Sequence, residues 1–128
     1  MKVLTLNTWQ ERGPWKERWE VAFEGIKTLQ PDLIFFQEVF NPEWIKEIVS
    51  RTKLATAVYH DKASGLVLFS NYPCLDSGSI MLKGQSALED YRRYLLFAKF
   101  QTETGFFFAF NTHLSWMLED AKVRAEQT

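Results

Sequence analysis

Three short apolar runs, each closing on polar residues, restrict most strongly how this chain can fold. The run at residues 4–8 is echoed at residues 108–112, because both are strand-like and both close on Asn-Thr. A third run, at residues 32–38, is apolar in its middle and closes on Gln-Glu. In open α/β sheets, ligands bind beyond the carboxyl ends of strands, where the sheet fixes the backbone and the next residues face solvent. The pattern therefore predicts polar groups gathered at one end of a sheet.

Asn7, Glu38 and His113 are the polar residues that this pattern brings forward as one site. Asn7 and Glu38 lie at the ends of their runs, and His113 directly follows the second Asn-Thr. An amide, a carboxylate and an imidazole together indicate metal-assisted phosphate chemistry. The pattern alone also allows a turn asparagine bonded to its own backbone, a solvated loop glutamate and a structural histidine.

Two predicted helices alternate with the first apolar runs along the chain. Apolar residues from Trp15 to Leu29 recur at three- and four-residue spacing, which predicts a helix that opens at Pro14 and ends before Pro31. Asn41 followed by proline predicts the N-cap of a second helix over Pro42–Thr52.

The rest of the chain is mainly β-like. The candidate strands are residues 55–60, 65–70, 76–82, 94–101 and 106–112. Residues 102–105 predict a four-residue hairpin loop, and residues 117–127 predict the start of a helix. This order predicts a single α/β (α+β) domain with a mixed sheet and flanking helices.

Composition narrows the class of protein. The 46% hydrophobic and 16% aromatic content excludes disorder, and the net charge of −1 gives no basic footprint for nonspecific binding to nucleic acid. Cys74 is the single cysteine, so no intrachain disulfide can form. With no signal-peptide pattern and no run long enough to span a bilayer, we expect a cytoplasmic protein.

Four segments in order resemble the endonuclease/exonuclease/phosphatase superfamily, which has the deoxyribonuclease I-like fold. They are the strand ending in Asn7, residues 37–39, residues 65–73 and residues 111–114. Arg93 also stands where members of that family place an arginine. The resemblance covers the whole chain but only the N-terminal half of the family's domain. It implies that residues 1–128 form a partial domain, half of a four-layer α/β/β/α sandwich.

The resemblance also implies roles for four residues. Glu38 would be the principal ligand of Mg²⁺ (or Mn²⁺), and Asn7 would belong to the metal and phosphate shell as a metal ligand and catalytic residue. His113 would be catalytic, acting on a phosphoryl oxygen, and Arg93 would bind the substrate phosphate. The implied reaction is hydrolysis of a phosphate ester in a nucleic acid, a phospholipid head group or a small phosphoester.

Two motifs of the family, Asp-x-Asn and the water-activating Asp-His, have no match in this sequence. We therefore expect the 128-residue chain alone to be inactive. The alternative is a non-catalytic remnant of the family that acts as an association or binding module. Apolar side chains on both faces of residues 106–110 predict a homodimer that covers an exposed inner face of the sheet. Trp9, Trp44 and Trp116 are interpreted as core or rim packing.

Overall fold

The computed structural model describes the whole chain, from Met1 to Thr128, and contains seven strands and three α-helices. In chain order they are β1 (Val3–Asn7), α1 (Trp15–Leu29), β2 (Leu33–Gln37), α2 (Pro42–Thr52), β3 (Thr56–Val58), β4 (Val67–Ser70), β5 (Cys74–Met81), β6 (Tyr94–Thr102), β7 (Gly105–Thr112) and α3 (Ala121–Gln127). Short 3₁₀ turns span Lys62–Ser64 and Leu118–Asp120. Every predicted element is present, with bounds that differ by a few residues at most.

The strands form two sheets. The first has the order β1-β2-β4-β3, in which β1 and β2 are parallel and the other pairs are antiparallel. The second is the antiparallel meander β5-β6-β7. Thr102 pairs with Gly105, so the β6–β7 connection is a two-residue turn, shorter than the predicted four-residue loop.

Helices α1 and α2 pack on one face of the first sheet. Their apolar stripes meet alternate residues of β2 and β4, because side chains two apart along a strand point to the same face. The largest buried side chains of this core are Trp19, Phe23, Ile34, Phe36, Ile45, Ile48 and Phe69. Trp19 stacks on Trp44 with ring centroids 4.9 Å apart, which links the two helices.

The other face of the first sheet packs against the second sheet. This second core contains Leu33, Val58, Leu66, Leu68, Leu96, Ala98, Phe100 and Ala109. The expectation that the chain leaves the inner face of its sheet uncovered is therefore wrong. The two sheets cover each other because both present apolar side chains at alternate positions.

The layers are thus helices, mixed sheet and antiparallel sheet, in the predicted mixed α/β class. On the outer face of the second sheet, the side chains of Phe106, Phe108 and Phe110 remain exposed, at 59%, 49% and 58%. Helix α3 does not cover this face. It lies at the end of the molecule, where the Gln127 side chain accepts a hydrogen bond from the Ser115 N–H. The helices are all too short or too polar to cross a membrane.

Candidate functional site

The ends of three strands bring Asn7, Glu38 and His113 together. Strands β1 and β2 are parallel, so Asn7 and Glu38 leave the first sheet at the same edge. The Asn7 Nδ2 donates a hydrogen bond of 3.0 Å to the Glu38 Oε1. The His113 Nδ1 lies 3.8 Å from the same oxygen, too far for a hydrogen bond. The three side chains predicted to form one site are therefore neighbours.

Asn111 holds the end of β7, and with it His113, against the first sheet. Its Nδ2 donates to the carbonyls of Phe36 at 2.8 Å and Val67 at 3.1 Å, on β2 and β4. Its Oδ1 accepts a 2.8 Å hydrogen bond from the Gln37 side chain. All the hydrogen-bonding atoms of this buried amide are thus used to join the two sheets beside the site.

Glu38 adopts a strained backbone. Its φ is 65°, in the left-handed region that residues with a Cβ rarely occupy. The next residue is anchored, because the Val39 N–H donates to the Gly65 carbonyl at 2.9 Å. The Glu38 side chain is 11% exposed, and its Oε2 receives no hydrogen bond from the protein. One oxygen is therefore fixed by Asn7, and the other is available to a ligand.

Backbone strain is concentrated at this site. Five non-glycine residues have a positive φ, and two of them, Gln30 and Lys53, are the C-caps of α1 and α2, where this conformation is ordinary. The other three, Trp9, Gln10 and Glu38, all line one cleft. Strained residues persist where the surrounding structure over-determines them, and they cluster at functional sites.

The cleft has a volume of about 420 Å³. Its walls come from the segments that follow β1, β2 and β7 and from the segment that precedes β6. It is lined by Asn7, Trp9, Gln10, Arg12, Glu38, Leu88, Glu89, Asp90, Tyr91, His113 and Trp116. Such a concave surface with convergent polar groups is typical of a small-molecule site.

The surroundings of His113 favour the neutral imidazole. Burial lowers its pKa below the ordinary value of 6.5, and the charge of Arg93 lowers it further, whereas Glu38 and Glu89 act in the opposite direction. The imidazole therefore faces the cleft as a neutral group that can donate one hydrogen bond and accept another.

Arg93 lies beneath the cleft rather than in its wall. Its side chain is 4% exposed, and it donates to both carboxylate oxygens of Glu89, at 2.9 and 2.7 Å. A third donor, Nη1, reaches the His113 carbonyl at 3.1 Å. Direct phosphate binding by Arg93 thus stays a prediction, while the contact to the His113 backbone is present.

Glu89 was not predicted from the sequence and is the centre of this buried network. Besides Arg93, it accepts hydrogen bonds from the Ser115 hydroxyl at 3.1 Å and the Trp116 N–H at 3.2 Å. Burial alone would raise the pKa of Glu89, but the hydrogen bonds from Arg93, Trp116 and Ser115, together with the Arg93 charge, lower it below 4.5. The spacing of four residues between Glu89 and Arg93 was the only available signal, and it is common on surfaces.

The residues present suit a magnesium-type ion. Mg²⁺ prefers oxygen ligands, keeps several waters and is often held by one or two carboxylates. Glu38 supplies one carboxylate oxygen free of protein partners, and the neighbouring Asn7 adds an amide oxygen, which accepts the Trp9 N–H at 2.8 Å. No group of three or more His, Cys, Asp or Glu side chains is arranged to hold a metal ion.

Comparison with known proteins identifies the fold. No family model and no curated protein sequence matches the chain. Among solved structures, TDP2 from Caenorhabditis elegans matches with a TM-score of 0.79 at 20% identity, over 99% of this chain and 39% of that one. The human Nocturnin catalytic domain with bound sulfate matches with a TM-score of 0.69 at 23% identity, over 91% and 49%.

ANGEL2, a 2′,3′-cyclic phosphatase in complex with adenosine-2′,3′-vanadate, matches with a TM-score of 0.65 at 16% identity, over 88% of this chain and 36% of that one. The chain thus spans between 36% and 49% of the length of these structures. The likeness to these structures shows the fold, which is of the mixed α/β class predicted from the sequence.

Proposed function

We propose that this chain carries the metal- and phosphate-binding part of a divalent-metal-dependent phosphoesterase. The observation that carries the proposal is the geometry of Glu38. A carboxylate on a left-handed backbone is fixed at one oxygen by Asn7, leaves the other oxygen free, and faces a cleft that also contains a neutral His113. ANGEL2, which has this fold, is a phosphatase, and that agrees with the same class of reaction.

Glu38 and Asn7 would hold Mg²⁺ (or Mn²⁺). When bound, such an ion stabilises negative charge on the phosphoryl oxygens during in-line attack by water. Asn7 keeps the Glu38 carboxylate in place, and His113 donates a hydrogen bond to a phosphoryl oxygen. Arg93 fixes the backbone of His113, and its direct contact with phosphate would require it to leave Glu89.

The substrate class is a phosphate ester in a nucleic acid, a phospholipid head group or a small molecule. Within the 128 residues, no carboxylate is hydrogen-bonded to His113, and an activating Asp-His pair is therefore missing from the cleft. Because a general base contributes about 10²–10⁴-fold, we expect no appreciable turnover by the 128-residue chain on its own.

Metal binding by Glu38 tests the proposal. With one carboxylate, the dissociation constant should be on the order of millimolar. We expect Mn²⁺, titrated into the chain and followed by NMR, to broaden first the side-chain signals of Asn7 and His113. Mg²⁺ should compete with this effect.

Glu38→Gln should abolish the broadening at Asn7 and His113. Glu103→Gln removes the same charge from the exposed β6–β7 turn and should leave the titration unchanged. Equal broadening in Glu38→Gln and the parent chain would remove Glu38 from the site and overturn the proposal.

A further inference from the structure

Trp9 is an exposed tryptophan on a strained backbone. Its φ is 53° and that of Gln10 is 54°, so two consecutive residues occupy the left-handed region. The Trp9 side chain remains 54% exposed, so burial in the core does not explain its conformation. Backbone strain of this kind persists only where surrounding contacts hold the segment in one conformation.

Two sets of contacts fix the position of Trp9. Its backbone N–H donates to the Asn7 Oδ1 at 2.8 Å, which ties it to the amide that orients Glu38. The Arg18 guanidinium lies over one face of the indole ring, 5.1 Å from its centroid. Arg18 is itself held, because its Nη2 donates to the carbonyls of Thr8 at 3.1 Å and Gln10 at 3.3 Å.

The Trp9 ring is exposed at the cleft. Trp9 lines the cleft together with Glu38 and His113, whereas Arg18 is not part of its wall. Arg18 occupies one face of the ring, and more than half of the residue's surface remains accessible, so a ligand can reach the ring. The ring is held in place before any ligand arrives, so a ligand that stacks on it pays little ordering entropy.

A second tryptophan stands on another wall of the same cleft. Trp116 is 65% exposed, and its backbone N–H donates to the buried carboxylate of Glu89 at 3.2 Å. The segment after β7 thus presents an indole from an anchored backbone, as the segment after β1 does. Two exposed indoles on anchored backbone segments line one cleft, and together they offer apolar surface to planar rings.

We propose that Trp9, with Trp116, forms a stacking platform for the base of a nucleoside phosphate. The proposal rests on the proposed function, because the ion held by Glu38 and Asn7, together with His113, would take the phosphate in the same cleft. A cation such as a quaternary ammonium fits less well, since Arg18 already places a positive charge on the Trp9 ring. A neutral aromatic base stacks on an indole without that repulsion.

Calorimetric titration of the 128-residue chain in Mg²⁺ with three probes tests the platform. The probes are AMP, ribose 5-phosphate and phosphocholine, which share a phosphate and differ in what it carries. We expect AMP to bind about tenfold more tightly than ribose 5-phosphate, a preference typical of one stacked base. Trp9→Ala should remove this preference, and Trp9→Phe should keep most of it.

Phe106→Ala removes an equally exposed aromatic ring from the outer face of the second sheet and should leave the affinity for AMP unchanged. Thermal unfolding of each variant checks that the fold is retained. Equal affinities for AMP and ribose 5-phosphate would overturn the platform and leave the phosphate site standing. Tighter binding of phosphocholine would overturn it in favour of a cation site. Binding of none of the probes would overturn the platform and count against the proposed function, whose metal titration is independent.

Discussion

Two copies of Asn-Thr, similar in sequence, have opposite burial in the folded chain. In the first copy, Asn7 is exposed and Thr8 is 8% exposed, with its hydroxyl bonded to the Gln37 and Glu38 carbonyls. In the second copy, Asn111 is 3% exposed and Thr112 is exposed. Successive residues of a strand point to opposite faces, so the register of each strand decides which asparagine reaches the site.

Asn111→Ala should therefore destabilise the chain far more than Asn7→Ala. Removing the buried amide takes a hydrogen bond from each of two carbonyls, while Gln37 keeps its 3.3 Å contact to the Thr5 hydroxyl. Each unsatisfied buried group costs roughly 1–3 kcal/mol, so we expect a loss of about 2–6 kcal/mol. Asn7→Ala should remain within about 0.5 kcal/mol of the parent chain, as is usual for exposed positions. Urea unfolding measures the free energy of unfolding of both variants. Equal losses would contradict the structural role described for Asn111.

The buried Glu89–Arg93 pair makes stability depend on pH. The pKa of Glu89 in the folded chain lies below its value of 4.5 in the unfolded chain. Between these two pKa values the unfolded state binds more protons, so the free energy of unfolding falls as the pH falls through this window. Above pH 4.5, the stabilisation that Glu89 contributes is fully present.

Glu89→Gln should be less stable at neutral pH, because the charge of Arg93 is then buried without a counter-charge; losing one partner of a buried pair typically costs about 3–5 kcal/mol. Between about pH 4.5 and the lower folded pKa, its free energy of unfolding should depend less on pH than that of the parent chain. Urea unfolding measured across this range decides the point. Parallel pH profiles for the two proteins would show that another group controls the acid sensitivity.

At the scale of elements, the turn after β2 that positions Glu38 depends on a close approach of another backbone segment. Gly65 has a φ of 65°, and a Cβ added there would lie 2.8 Å from the Phe40 ring and 3.1 Å from the Glu38 Cα. This approach places the Gly65 carbonyl within reach of the Val39 N–H. The turn after β2 therefore needs a glycine on the facing segment.

Gly65→Ala should destabilise the chain by at least about 1–2 kcal/mol, from the left-handed backbone alone. Gly25→Ala is the matched control, because Gly25 lies inside α1 and an added Cβ there meets nothing within 4 Å. That control should be stabilising by about 0.5–1 kcal/mol, since alanine is the better helix former. Thermal unfolding compares them, and a neutral Gly65→Ala would contradict the described approach.

At the scale of the whole molecule, the outer face of the second sheet remains apolar. Phe106, Phe108 and Phe110 project from β7, an edge strand, and Lys99 covers only part of this face, with its Nζ 3.8 Å from the Phe106 ring centroid. Exposed apolar patches of this kind are uncommon on monomers. The expected homodimer therefore stays a prediction, with the outer face, rather than the inner one, as its contact.

Light scattering at micromolar concentration should show a two-fold homodimer. The double substitution Phe108→Ser and Phe110→Ser should shift it to a monomer, because it removes most of the apolar contact. Leu118→Ser, at a position that is 89% exposed and outside the second sheet, should leave the dimer intact. A parent chain that is monomeric and unfolds cooperatively would show that the apolar face needs no second copy.

The sequence by itself determined the helices and strands and the mixed α/β fold class, whereas the packing of the two sheets against each other was seen only in the tertiary structure. Apolar spacing of three and four residues marked α1, continuous apolar runs marked β2 and β7, and Asn41 marked the start of α2, because these signals depend on local backbone geometry. They also placed Asn7, Glu38 and His113 at strand ends. Only the tertiary structure decided that the Arg93 guanidinium is paired with the Glu89 carboxylate. It alone also decided that Trp9 and Trp116 line the cleft. Such contacts depend on partners distant in the chain and on the register of packed strands, which local periodicity does not encode.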